Sequence, residues 1–254
     1  MKKVWNSFLI AFAMFSKIPA PRADWDKENM RYMMCFFPGI GAVIGFLICG
    51  YGGFCALADF SGAMRSAGFV LIPVLVTGGI HLDGFLDTVD ALSSYQPKEK
   101  KLEILKDSHA GAFAVIMGCA YFILAFGVWS EMEDAALPVM GVGYAVSRSL
   151  SGLALTAFPC ANQNGSFSMF ADAAQKRVLR IVLALWLIGC GGVLLLLNWR
   201  LGLILLCTAA AAYGYYYHIA LKEFGGTTGD IAGFFVQVCE LAMACTVMLG
   251  GKFL

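Results

Sequence analysis

The stretches IVLALWLIGCGGVLLLLN, residues 181–198, and LGLILLCTAAAAYGYYYHIA, residues 201–220, are parted only by Trp199 and Arg200. Neither contains an Asp, Glu, Lys or Arg. Each approaches the roughly 20 apolar residues that a helix needs to cross about 30 Å of hydrocarbon. They read as two consecutive membrane spans. Comparable stretches lie at 33–57, 65–80, 111–130, 135–158 and 231–250. The stretch at 65–80 is short and carries Pro73, so a kinked helix is expected there. Residues 4–15, behind Met1-Lys2-Lys3, are apolar but too short to span. No small-x-small cleavage pattern follows them, and Lys17, Pro19 and Pro21 come next, so a retained interfacial helix is expected. The expected fold is all-α. It is a polytopic integral membrane helix bundle with about seven transmembrane helices plus a short N-terminal interfacial helix, forming one transmembrane catalytic domain over 1–254.

Composition agrees with this reading. Of 254 residues, 59% are hydrophobic and 14% charged, against about 25% charged in a soluble domain. Mean hydropathy is +0.74. A chain this size has too little interior to hide that much apolar surface from water. The net charge of +1 gives no electrostatic footprint for nucleic acid. The nine cysteines form no Cys-x-x-Cys pair and mostly sit in apolar runs, so free thiols are expected. Glycines recur within the spans, as in Gly39-Ile40-Gly41, where small residues let helix backbones approach.

Charge orders the links between spans. If residues 1–32 are cytoplasmic, the inner links hold fourteen basic residues, from Lys2 and Lys3 through Lys98 and Lys106 to Arg180 and Lys222. The outer links hold Arg65, Arg200 and Lys252. The positive-inside rule then fixes the orientation. The long polar segments 81–110, 159–180 and 221–230 all fall on the inner side.

Those segments carry the unusual residues. In Thr77-Gly78-Gly79-Ile80-His81-Leu82-Asp83-Gly84-Phe85-Leu86-Asp87-Thr88-Val89-Asp90, three aspartates stand at i, i+4 and i+7. Helical spacing puts them on one face, where like charges repel. A hard divalent cation such as Mg²⁺, which prefers carboxylate and phosphate oxygens, compensates such a face. Glu103 and Asp107 form a second i, i+4 acidic pair within a lysine-rich segment. Asp107-Ser108-His109 precedes a span and is placed to cap its N-terminus. Gly225-Gly226-Thr227-Thr228-Gly229-Asp230 opens the last span, where backbone N–H groups can cradle phosphate. Arg148 and Glu240 lie within spans, where a mutual ion pair would offset their cost.

Together these residues resemble the cobalamin synthase family, the adenosylcobinamide-GDP ribazoletransferases. The resemblance is carried by Gly79 through Gly84 with Asp87 and Asp90, by Lys106-Asp107-Ser108 with Gly111-Ala112-Phe113, by Gly225 through Asp230, and by Glu240. Phe15-Ser16-Lys17-Ile18-Pro19 and Phe37-Pro38-Gly39-Ile40-Gly41 extend it over nearly the whole chain. Ala161-Asn162-Gln163-Asn164-Gly165 departs from it, with no charge where such proteins often place a basic residue.

The resemblance implies a transferase that joins adenosylcobinamide-GDP to α-ribazole or its 5′-phosphate and releases GMP. On that implication Asp83, Asp87 and Asp90 hold Mg²⁺ and the diphosphate, with Glu103 completing the shell. Asp107 is the candidate general base and His81 the second. Gly225, Gly226, Thr227, Thr228 and Gly229 cradle phosphate, and Asp230 positions a metal water or substrate. The expected setting is a bacterial cytoplasmic membrane with the site facing the cytoplasm. Expected partners are the two small-molecule substrates and membrane lipid, with a homo-oligomer admitted and nucleic acid not. A CDP-alcohol phosphotransferase of phospholipid synthesis shares the acidic rhythm of Asp87, Asp90, Glu103 and Asp107 but has a Gly and an Ala-Arg pair that are missing here. An ion-coupled transporter would place its acids near the bilayer midplane.

Overall fold

The computed structural model describes residues 2–162 and 165–253. Gln163 and Asn164, in the uncharged segment noted above, lie outside the described residues. Eleven α-helices and two 3₁₀ turns account for the regular structure among the described residues. The N-terminal helix α1 (Lys2–Phe15) is followed by a short α2 (Lys27–Met30). Then come α3 (Phe37–Leu57), α4 (Gly62–Thr77), α5 (Ile80–Ser93), α6 (Lys98–Ile104) and α7 (Ala112–Ser130). The remainder is α8 (Leu137–Ala157), α9 (Ser166–Ala173), α10 (Lys176–Phe224) and α11 (Gly229–Phe253).

Each of the expected apolar stretches falls on a helix. Length and apolarity alone qualify four helices to cross a membrane: α3, α7, α10 and α11. The bent pair α4–α5 makes a fifth when its two halves count as one span. Helix α8 is as long as α3 but falls outside this group. It is rich in Ser and Gly, holds Arg148, and buries most of its length among its neighbours instead of presenting an apolar face to lipid.

Helix α10 shows why the opening stretches needed to be read as two. As one straight rod, 49 residues would run far beyond a bilayer at 1.5 Å per residue. Instead the chain leaves helical geometry at Asn198 (φ −160°, ψ 103°). A Cβ on Gly202 would stand 2.8 Å from the Leu194 carbonyl oxygen. Residues eight apart on a straight helix are separated by about 12 Å of rise, so the chain doubles back into a hairpin. The Asn198 side chain accepts a 3.2 Å hydrogen bond from Leu201 N–H and caps the second arm.

Backbone proximity holds the centre together. An added Cβ at Gly41 would collide with the Tyr144 carbonyl, and one at Gly45 with that of Gly141. Helices α3 and α8 therefore touch backbone to backbone, as small residues permit in membranes. Across from this seam, Arg148 on α8 is fully buried and pairs with the Glu240 carboxylate on α11. Ser147 donates to the same carboxylate oxygen at 2.7 Å, and Arg148 also donates to the Tyr144 carbonyl at 3.0 Å. On the side of the fold away from the acidic segments, ion pairs Arg65–Asp134 and Lys252–Glu131 tie the links together. All nine cysteines are free.

The buried pair yields a prediction. Glu240→Leu strands the Arg148 guanidinium in the interior and lowers stability by about 3–5 kcal/mol. Arg148→Met combined with Glu240→Leu recovers most of that loss. Thermal unfolding in detergent measures both variants.

Candidate active site

Two consecutive glycines build the site's first wall. Gly78 and Gly79 both adopt positive φ, at +64° and +79°, a region that costs other residues a clash at Cβ. Their N–H groups bond back to the carbonyls of Leu75 and Val74, closing the end of α4. The chain bends by 95° here. Helix α5 therefore runs across the ends of its neighbours instead of continuing α4. Lys17 packs its side chain over Gly78, so a larger residue at that position would displace it.

Helix α5 then lies against α11. A Cβ at Gly84 would stand 2.7 Å from the Asp230 carbonyl oxygen and 2.8 Å from its Cα. One at Gly233 would stand 3.0 Å from the His81 carbonyl oxygen. Phe85 stacks on Phe234 with ring centroids 5.8 Å apart, and Tyr121 of α7 closes over Phe85 at 5.3 Å. This contact sets the α5 carboxylates beside the start of α11. Asp87 interacts electrostatically with Asp83, Asp230 and Asp90, and Asp230 with Asp83. Acids from two separated segments thus share one electrostatic neighbourhood.

Three cavities open along this neighbourhood. One of about 140 Å³ is lined by His81, Asp83, Asp230 and several aromatic rings. A second of about 180 Å³ lies between Lys106, Thr228, Gly229 and Asp230. A third of about 580 Å³ is bounded by Lys17, Gly78, Gly79 and Asp83. Asp230 borders the first and second, and Asp83 borders the first and third. The two acids are thus shared between neighbouring cavities, with Lys106 and Lys17 lining the outer two. Such an arrangement suits a substrate that carries both phosphate and bound cation.

Comparison with known proteins now bears on this geometry. The family described as cobalamin-5-phosphate synthase matches residues 7–248.

The chain belongs to the cobalamin-5-phosphate synthase family.

It is 43% identical over 247 residues to an adenosylcobinamide-GDP ribazoletransferase of Lachnoclostridium phytofermentans, covering 96% of this chain and 94% of the relative. A protein of the same name from Clostridium botulinum strain Alaska E43 is 33% identical, with 95% and 96% covered. One from Geobacillus thermodenitrificans is 28% identical, with 98% and 97% covered. No solved structure matches.

The expected site residues of this family member divide under the structure. Asp83, Asp87, Asp90 and Asp230 come together as described. They do not make a closed metal cage. Among the described residues, no three His, Cys, Asp or Glu side chains sit at metal-holding distances. Glu103 stands apart from the group. It is exposed on α6, paired with Lys100 at 2.7 Å.

The expected phosphate cradle is also narrower than its sequence. The Gly225, Gly226 and Thr227 N–H groups already bond to the carbonyls of Leu221, Ala220 and Pro159. Thr227 further exchanges hydrogen bonds with Tyr216 at 2.5 Å, and its carbonyl accepts from Ala161 N–H. This half of the motif is a fastener between the end of α10 and the segment after α8. Thr228, Gly229 and Asp230 alone face a cavity.

Asp107 does not cap α7. Its carboxylate accepts from the backbone N–H of His109 at 3.0 Å and pairs with His109 Nδ1 at 2.7 Å. These hydrogen bonds from His109 hold the Asp107 carboxyl below its usual range. At the end of the same loop, Asp90's carboxylate packs against Gly111. His81, the second candidate base, is buried in the wall of the smallest cavity.

Sequence reasoning did not assign Lys17, Lys106 or His109 to the site. Lysines at 98–106 read as one basic surface helix, yet their environments differ. Lys101 is buried against Glu223, Lys100 pairs with Glu103, and Lys106 enters a cavity. For His109 the signal was present as Asp-x-His, a spacing at which one side chain can bond the other.

The close α5–α11 approach is testable by itself. Gly84→Ala forces its methyl into the Asp230 backbone and destabilises the fold by about 1–3 kcal/mol. Gly229→Ala, whose Cβ would meet nothing within 4 Å, leaves the thermal midpoint in detergent unchanged.

Proposed function

We propose that this chain is an adenosylcobinamide-GDP ribazoletransferase. It joins adenosylcobinamide-GDP to α-ribazole or α-ribazole 5′-phosphate and releases GMP, the step that assembles the nucleotide loop of cobalamin. The observation that carries this reading is the meeting of the α5 acids with Asp230 beside Lys106 and the N-terminus of α11. Family membership supports this choice of substrates, and the geometry suits the chemistry.

In this reaction a ribose hydroxyl of the acceptor attacks a phosphorus of the donor's diphosphate. A P–O bond forms, the bond to the GMP oxygen breaks, and the hydroxyl proton must leave. The chain's residues divide these tasks. Lys106 and Lys17 offer positive charge to phosphate oxygens from opposite ends of the acidic group. Thr228 and the first turn of α11 receive a phosphate at a helix N-terminus. The Asp107–His109 pair takes the hydroxyl proton, with Asp107 fixing the ring through Nδ1.

The site's donors fit Mg²⁺. Asp83, Asp87, Asp90 and Asp230 supply only hard oxygen ligands. Mg²⁺ is usually held by one or two carboxylates plus substrate phosphates, with waters completing the shell, so a closed protein cage is unnecessary. When bound, the ion would neutralise charge on the phosphoryl oxygens. The basic excess on the inner links supports a site open to the cytoplasm, in a bacterial cytoplasmic membrane.

Purified protein in detergent should release GMP from adenosylcobinamide-GDP only when α-ribazole or its phosphate is present. Chelation should abolish release, and added Mg²⁺ should restore it. Asp83→Asn and Asp107→Asn should each lower kcat about 100-fold or more, while Glu103→Gln stays within about twofold. Undiminished Mg²⁺-dependent turnover in both aspartate variants would remove the assignment. Turnover of a CDP-activated lipid without response to adenosylcobinamide-GDP would replace the reaction.

A further inference from the structure

The smallest of the three cavities differs in character from the other two. Phe15, Phe37, Phe167 and Phe170 line it together with His81. Phe37, Phe167 and Phe170 are buried, and Phe15 is half-buried. The His81 ring lies near-parallel to Phe15 at 6.4 Å and tilted to Phe37 at 5.5 Å. His81 is only 5% exposed, and its Nε2 is buried with no hydrogen-bond partner. A buried imidazole nitrogen without a partner is expensive and points to a ligand that supplies one.

Size and polarity narrow the class. A cavity of about 150 Å³ lined by apolar side chains accommodates a benzene-sized ring, and this one measures about 140 Å³. Its volume has room for one flat ring system. Aromatic walls favour stacking on such a ring. A guanine would bring several donors and acceptors on its edge, and those turned toward Phe15, Phe37, Phe167 and Phe170 would stay unpaired at a cost. Asp83 and Asp230 also line the cavity, and these are the two acids it shares with the phosphate-facing cavities.

We propose that this cavity seats the heteroaromatic base of the acceptor nucleoside, with His81 Nε2 hydrogen-bonded to a ring nitrogen. The base's ribose then projects toward Asp83 and Asp230, where the hydroxyl meets the diphosphate. His81 is thus a binding and positioning residue, not the proton acceptor. The assignment of the acceptor rests on the reaction proposed above; the ring-binding cavity itself does not.

The test therefore has two arms on the intact protein in detergent. In the first, equilibrium dialysis measures binding of benzimidazole alone, which needs no turnover. Saturable binding of one molecule per chain is expected, lost in Phe167→Trp, which fills the cavity, and displaced by α-ribazole but not by guanosine. In the second, His81→Leu raises KM for α-ribazole about tenfold or more while KM for adenosylcobinamide-GDP stays within about twofold. His81→Gln, which keeps a polar group, recovers part of the loss. Thermal midpoints identify any variant that fails to fold, and wild-type dialysis decides the cavity without them. Absence of benzimidazole binding to the wild type, displacement by guanosine, or a parallel rise of both KM values would overturn the proposal. If the wild type binds benzimidazole yet releases no GMP with either acceptor, the reaction assignment fails while the ring site stands.

Discussion

The site depends on one steric constraint: at Gly84 the α5 backbone has to come within van der Waals reach of the α11 backbone at Asp230. A side chain there would hold the two helices apart. With glycine, acids separated by about 140 positions in sequence become electrostatic neighbours. The like charges resist this arrangement, so apolar packing must hold it. The Phe85–Phe234 stack and the Gly233 contact with His81 supply that packing on the other side of the same interface. Repulsion among these carboxylates would be relieved by the divalent cation that the proposed reaction calls for.

Features outside the site serve to keep that interface in place. The Gly78-Gly79 bend turns α5 by 95° from α4, so its acids do not extend along the α4 axis. The Arg148–Glu240 pair links α11 to α8, and the Gly41 and Gly45 contacts lock α8 to α3. The fastener formed by Gly226 and Thr227 fixes where α11 begins. Position in this fold passes from backbone contact to backbone contact, as expected where lipid offers little hydrophobic drive to press helices together.

Much of this was legible in the sequence. Charge-free runs marked the helices, and Asn198-Trp199-Arg200 marked the turn of the α10 hairpin, because polar groups gather where a span ends. The i, i+4, i+7 aspartates announced their own face. The limits had physical causes too. Helix periodicity says which residues share a face but not how far apart their carboxylates stand from those of another segment. A glycine-rich loop shows that backbone can approach something; whether its N–H groups are free depends on partners such as Pro159, about 70 residues away. Glu103 was counted with Asp107 because they are one turn apart, yet the chain leaves helical geometry after Ile104 and the two carboxylates take different partners. The aromatic cavity joins α1, α3, α5, α8, α9 and α11, helices whose meeting no local pattern encodes.

Joint possession of a cation by α5 and α11 is the heart of the account, and metal binding measures it most directly. Mn²⁺, standing in for Mg²⁺, can be followed by electron paramagnetic resonance on the purified protein with adenosylcobinamide-GDP present. The account predicts that Asp83→Asn and Asp230→Asn each weaken Mn²⁺ binding by about tenfold or more. Wild-type affinity in Asp230→Asn would show that α11 takes no part in holding the ion, and would contradict it.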